Sequence, residues 1–422
     1  MRTTLATGLT HEMSETTATL FTNGLFLDVD TGGYREGDLR ADDGIVTETG
    51  FGLATPSSVR RVDLGGSFVL PGLIDCHVHV MASTADMADL ARWPVTYNAH
   101  RAARLLGEML DRGFTTVRDM AGGDYGTWRA LEEGLVRGPR FFYAGRALSQ
   151  TGGHGDHRGP GEHFLDVHPG CCELSTVVDG PDEVRKAARD ELRRGAHHIK
   201  VMAGGGVASP TDRIDSTQFS VAELEAAVQE ATAAHRYVAA HAYTPESIAR
   251  ALQAGVRTVE HANLLDPATA RFVKEKQAYL VMNLVTYWAL RTEGREFGLP
   301  EASWRKVADV LDGGLRALEL AHSTGIKIGY GTDLLGGMHR HQSQEFVIRS
   351  QVQAPIDIIR SATTIGAEIV GLPGKLGTLA PGAHADLVAL TRDPLDDIAV
   401  LADSAAIRYV VKDGTIELAN SG

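Results

Sequence analysis

The sequence predicts an α/β protein, a (β/α)₈ TIM barrel with a small β-sandwich domain built from both chain ends. Three observations predict it. Eight short apolar runs alternate with helical segments through the middle of the chain. Both ends instead alternate polar and apolar residues between Gly and Asp turns. The stretch from Pro71 to Asp333 is also close in length to the roughly 250 residues of a typical barrel.

Residues 1–17 read as a flexible leader, without the roughly 7–15-residue apolar stretch of a secretory signal. Residues 18–70 read as antiparallel strands, with turns expected at Asn23-Gly24 and Asp42-Asp43-Gly44. The metal-binding barrel is expected over 71–373. Its strands fall at 73–80, 115–119, 140–144, 197–202, 237–242, 258–262, 278–284 and 327–332. The segments between them are rich in Ala, Leu, Glu and Arg at helical spacing, and Ser220 and Glu223 have the spacing of a capping box. Residues 374–422 supply further strands, at 377–379, 385–390 and 409–415. Neither flank is large enough to bury a core alone, so the two are expected to pack together as one composite sandwich.

Candidate metal ligands sit at the ends of these runs. His77 and His79 are two apart on one strand, so they share a face and can grip one cation; Asp75 lies on that face below them. Lys200 is the unusual member, since an ammonium cannot bind a metal. By itself it reads as an ordinary strand-end lysine. In this company it is useful as a carbamate, whose two oxygens can bridge two cations about 3.5–4 Å apart. His241 and His261 each close a strand-like run and can each give one nitrogen to a second metal. In the last strand, alternation puts Gly329, Gly331 and Asp333 on one face, with the glycines leaving room beneath the carboxylate. Asp333 would ligate the first metal and accept the proton of the attacking water. Tyr243, two residues past His241, can hydrogen-bond an oxyanion, or stack on substrate, or cap the barrel. His198, two residues below Lys200, is expected to fill the barrel interior.

The Pro-Gly-Leu-Ile-Asp-Cys-His-Val-His opening (71–79), the strand-four lysine, the histidines ending strands five and six, Gly331-Thr332-Asp333 and the closing Gly377-Thr378-Leu379 with Ala385-Asp386-Leu387-Val388 resemble the metal-dependent amidohydrolase superfamily over nearly the whole chain. Ser149-Gln150-Thr151-Gly152-Gly153-His154-Gly155-Asp156 and Lys200-Val201-Met202-Ala203-Gly204-Gly205-Gly206 resemble its Xaa-Pro and Xaa-Arg dipeptidase and ochratoxin-hydrolysing branch. That resemblance implies a binuclear zinc enzyme with a carboxylated Lys200, cleaving an amide bond next to a free carboxylate by attack of a metal-bridging hydroxide. The substrate would be an N-acyl amino acid, a dipeptide or an ochratoxin A-like amide releasing L-phenylalanine. It also assigns His154 to holding the substrate carboxylate or carbonyl, and implies a homo-oligomer. Two alternatives stay open: a mononuclear ring-opening hydrolase or deaminase of the imidazolonepropionase kind, and an inactive scaffold. The deaminating relatives carry a glutamate three residues after the strand-five histidine, where this chain has Thr244.

Composition sets outer bounds. With 41 Lys and Arg against 54 Asp and Glu the net charge is −13, which argues against a nucleic-acid partner and leaves a small-molecule one. No apolar run is long enough to cross a bilayer. Three cysteines, Cys76, Cys171 and Cys172, give no disulfide framework and point to a reducing cytoplasm. The stretch 151–180, rich in Gly, His and Pro, is expected to fold over the site as a lid. Residues 81–83, 285–288 and 334–341 should shape specificity, with Tyr287, Trp288 and Met338 admitting an aromatic group.

Overall fold

A computed structural model describes residues 18–159 and 173–420. The expected leader 1–17, Cys171 and Cys172, and part of the expected lid lie outside the described residues.

The two chain ends meet in one seven-stranded sheet. Ala18–Asp28, Gly33–Asp42, Ile45–Gly50 and Arg60–Pro71 come from the front, and Leu387–Leu390, Ile407–Lys412 and Thr415–Ala419 from the back. Arg60–Pro71 is the seam, parallel to Ala18–Asp28 on one side and antiparallel to Leu387–Leu390 on the other. The outer strand Ile45–Gly50 returns to the back of the chain, where the Val46 N–H donates to the Ala383 carbonyl and Gly382 donates to Val46. Phe21, Phe26, Leu39, Val62 and Leu387 are buried in a shared core, which neither end could assemble alone.

Two local expectations are corrected here. Asn23-Gly24 is a bulge within one long strand, where Asn23 takes φ +58° and the register shifts against both neighbouring strands. Residues 377–379 form no strand, because Gly377 sits at φ +69° with the Thr363 backbone where a Cβ would be. The Asp43-Gly44 turn is a two-residue hairpin with both residues at positive φ, as read from the sequence.

All eight barrel strands form. In order they are Leu73–Val78, Phe114–Asp119, Arg140–Tyr143, Ile199–Met202, Val238–Ala242, Thr258–His261, Tyr279–Met282 and Ile328–Tyr330. The third is broken at Gly145, φ +75°, and resumes as Ala147–Ser149. Its first half pairs with strand two and its second half with strand four. The barrel closes where Thr332 and Asp333 donate to the carbonyl of His77. Caps written in the sequence start the helices that follow strands four, five and six: Ser220 with Glu223 beyond a long loop, and Thr244 with Ser247 and Asp266 accepting from Thr269 soon after their strands. Parallel strands bring all eight strand ends to one face, where barrels carry their chemistry.

Candidate functional site

His77 and His79 converge as alternation requires, with their Nε2 atoms 3.3 Å apart. Asp333 Oδ1 lies 3.3 Å from the first and 3.1 Å from the second. What fixes these rings is more informative than the spacing. His77 donates its Nδ1 hydrogen to Glu260 Oε2 at 2.9 Å, and His79 donates its own to the carbonyl of Ala121 at 3.2 Å. Neither partner can be a donor, so each Nε2 is left as a bare lone pair. Two lone pairs and a carboxylate oxygen thus face one another, an arrangement that repels itself without a cation. Ligand atoms about 2.1 Å from a shared tetrahedral metal would be ~3.4 Å apart, so the donor set fits a metal ion. Together with His261, the His77 and Asp333 ligand atoms lie within 4.8 Å of one another.

His241 follows the same rule on the other side. Its Nε2–H donates to the Gly205 carbonyl at 3.0 Å, freeing Nδ1. The His241 and His261 rings are 4.4 Å apart, centre to centre. Lys200 lines the same pocket, 1% exposed, and no described residue gives its Nζ a hydrogen bond or an ion pair. Burial lowers this amine to about 8, against the attraction of Glu260 and Asp333. A buried, unpaired amine facing histidines fits poorly as an ammonium and well as a carbamate between cations. Burial alone would raise the Asp333 carboxyl; without a cation, only positive charge on His77, His79 and His261 holds it well below the ordinary carboxylate range, the role a bound cation's charge would take over.

The backbone reaches this geometry partly through strain. In strand six, Thr258 and Glu260 point into the barrel, so regular pleating would turn His261 outward. His261 takes φ +77° and Ala262 φ +53°, which swings the imidazole into the mouth. Asp333 likewise lies beyond its strand, which ends at Tyr330, and takes φ +52°. The alternation argument for Asp333 is therefore corrected. A Cβ on Gly331 would sit 2.9 Å from the Cβ of His77, and one on Gly329 would meet Ile369 on the outer helix layer. The glycines make room for those neighbours instead.

Asp75 supports His77 through its backbone, accepting from the His77 N–H at 3.0 Å and, on its other oxygen, from Thr332 and Gln342. Tyr243 lines the pocket beside His241 and His261, and its hydroxyl lies 2.9 Å from that of Tyr287. His154 lines the pocket as well, stacked on His241 at 4.3 Å and bonded through Nδ1 to Ser209 Oγ at 2.9 Å. Gly206 makes this possible, since a Cβ there would fall 2.0 Å from the His154 ring. His198 fills the barrel interior, stacked on Tyr237 and fully buried. Of the expected specificity residues, Tyr287 faces the pocket. Trp288 and Met338 are not among the residues lining it, and Trp288 packs edge-on against His341. The described ends of the expected lid contribute His157, Leu174 and Ser175 to the pocket wall; His163 and His168 lie outside the described residues.

Sequence reasoning missed the pair that anchors the first cluster. Glu260 lies between His77 and Arg118, accepting from Arg118 Nη2 on both oxygens at 2.9 and 3.0 Å and from Thr258 at 2.7 Å. Both charged side chains are fully buried. Burial would raise the Glu260 carboxyl, but Arg118 and His77 hold it low and ionised. The signal was present as an arginine and a glutamate inside two barrel strands, charges that a barrel interior tolerates only when they pair.

With the geometry in hand, the comparisons with known proteins agree. The family model described as Amidohydrolase family matches residues 68–416. The ochratoxinase of Aspergillus niger is 33% identical over 383 residues, spanning 86% of this chain and 78% of that protein. A crystal structure of a prolidase complexed with N-methylphosphonate-L-proline is 47% identical with a TM-score of 0.92, over 95% of this chain and 99% of that one. A crystal structure of an amidohydrolase is 45% identical with a TM-score of 0.93, over 96% and 100%. The chain belongs to the amidohydrolase family, a generally metal-dependent group, and is a hydrolase acting on amide or peptide bonds.

Proposed function

We propose that this protein is a two-metal hydrolase that cleaves an amide bond next to a free carboxylate, in an N-acyl amino acid, a dipeptide or an ochratoxin A-like amide. The observation that carries the reading is the set of ring nitrogens stripped of hydrogen by their outer partners: His77 by Glu260, His79 by Ala121 and His241 by Gly205. In this reading His77, His79 and Asp333 would hold one divalent cation and His241 and His261 a second, with a carboxylated Lys200 as a further anionic ligand. Zinc suits imidazole and carboxylate donors of this kind. Bound cations would supply a water that loses its proton near neutrality and a polarised substrate carbonyl.

The chain's own groups do the rest. Asp333, as a carboxylate, accepts the proton of the attacking water and returns it to the leaving nitrogen. Tyr243 stands where its hydroxyl can meet the oxygen that gains charge on attack. His154 forms the wall beside His241 and meets the substrate carboxylate or carbonyl. Met87, Leu174, Val207, Leu290 and Leu335 exclude water and receive an apolar side chain. The similar prolidase, crystallised with a phosphonate of L-proline, and the similar ochratoxinase support this substrate class.

Ring opening or deamination has no feature of the site in its favour. Position 244, where such relatives carry a carboxylate, is a threonine spent on capping the helix Pro245–Gln253. The test is hydrolysis of N-acyl amino acids, Xaa-Pro and Xaa-Arg dipeptides and ochratoxin A by zinc-loaded protein. Release of a free amino acid from at least one class is expected. A metal-loaded protein that cleaves none of them would overturn the proposal.

A further inference from the structure

Tyr287 lies in the helix Leu284–Glu293 that follows barrel strand seven, and it is 1% exposed. Its hydroxyl oxygen is 3.0 Å from His261 Nδ1 and 2.9 Å from the hydroxyl oxygen of Tyr243. A phenol has a single hydrogen to give, and no other described group is hydrogen-bonded to this buried hydroxyl; accepting from both neighbours would leave that hydrogen without a partner, so two arrangements satisfy both contacts and also use it. In the first, His261 Nδ1–H donates to Tyr287, Tyr287 donates to Tyr243, and the hydrogen of Tyr243 is left for the pocket. In the second every direction reverses: Tyr243 donates to Tyr287, Tyr287 donates to a bare Nδ1, and Tyr243 offers the pocket only lone pairs. The tautomer of His261 chooses between them.

A His261 that holds a cation through Nε2 must carry its hydrogen on Nδ1, which selects the first arrangement. We propose that Tyr287 is a positioning residue that passes the tautomer of His261 to Tyr243 and so makes Tyr243 the hydrogen-bond donor of the pocket. The inference rests on the metal-amidohydrolase reading above, and it adds a polarity to the site. The wall at Tyr243 then welcomes an acceptor, such as the oxyanion of amide hydrolysis, and rejects an N–H group. Both hydroxyls are buried, at 1% and 2% residue exposure, so the chain is shielded from competing water.

The test is equilibrium binding of two probes to zinc-loaded protein: an N-phosphonate amino acid, which mimics the tetrahedral oxyanion, and the product amino acid. Wild type, Tyr243→Phe, Tyr287→Phe and the double variant are compared, with metal per chain measured for each. Tyr287→Phe is expected to keep its metal and its affinity for the product. Its affinity for the phosphonate should fall about tenfold, as when an outer partner of a site group is lost. In the Tyr243→Phe background the same change should add less than about twofold, because Tyr287 acts through Tyr243. Additive losses, equal weakening of both probes, or an unchanged phosphonate affinity would each overturn the relay. If Tyr287→Phe does not fold, 3-fluorotyrosine at position 287 keeps the hydroxyl and makes it a better donor. It is expected to tighten the phosphonate, and weaker or unchanged binding would count against the relay. A wild type that binds no metal would remove the premise itself. An active, metal-loaded wild type with additive Tyr287→Phe losses would sink the relay alone.

Discussion

The two halves of the site are anchored by different physics. Around His77 the outer partner is a buried ion pair, Arg118 with Glu260, which also bonds Thr258 and the Cys76 carbonyl, while His79 beside it leans on the Ala121 carbonyl. Around His241 and His261 the partners are neutral, a backbone carbonyl and a phenol. A charged anchor couples the site to the stability of the barrel, since breaking it leaves an uncompensated ion in a dry interior. A neutral anchor sets direction without that penalty. Substitutions in the first half should therefore cost folding and metal together, and those in the second half should cost chemistry at nearly constant stability.

The largest effect is expected at the junction of the halves. Asp333→Asn keeps the shape but removes both a ligand and the proton carrier, so kcat should fall by several orders of magnitude with Tm nearly unchanged. Near-normal turnover would refute the acid–base role. Lys200→Ala should lose most of the bound metal and activity, with partial recovery in a small carboxylic acid. Full activity without the additive would show that no bridging anion is needed. Glu260→Gln sharpens the contrast most. It strands Arg118, and should cost about 3–5 kcal/mol of stability and weaken metal binding roughly 10–100-fold. A stable variant with unaltered metal affinity would place both halves on the same footing. Tyr243→Phe should slow turnover about 10²–10³-fold without loss of stability or metal, and an unchanged rate would leave it a packing residue.

The smallest expected effect lies outside the site and calibrates the others. Burial lowers His197 to about 4, below the roughly 6.5 of an exposed imidazole. Between those values the unfolded chain binds the extra proton, so stability rises with pH across this window. The contribution is complete above about 6.5 and is lost as pH falls through about 4. His197→Gln should flatten the pH dependence of Tm in that window; an unaltered slope would deny His197 the role.

The contrast between the halves also explains what could be read from the chain. His77 and His79 were legible because two residues on one strand obey alternation whatever surrounds them. All eight strands were legible because apolar runs recur between helices whose caps, such as Ser220 and Thr244, are written locally. Arg118 and Glu260 were not, since their pairing joins positions 142 residues apart and depends on strand register around a closed barrel. His261 and Asp333 were identified by company rather than by geometry. Their left-handed φ values, +77° and +52°, are carried by residues with no glycine-like signal, and tertiary contacts such as Asp333 N–H to the His77 carbonyl impose them. Tyr287 was read as a substrate contact because a helix register cannot reveal a hydroxyl shared between two other side chains.

The central claim, paired cations joined through Lys200, is tested most directly by metal stoichiometry of zinc-reconstituted protein before and after Lys200→Ala. Two ions per chain falling to one or fewer is the expected result. A wild type that cannot be loaded, or a Lys200→Ala variant that still holds two ions, would contradict it.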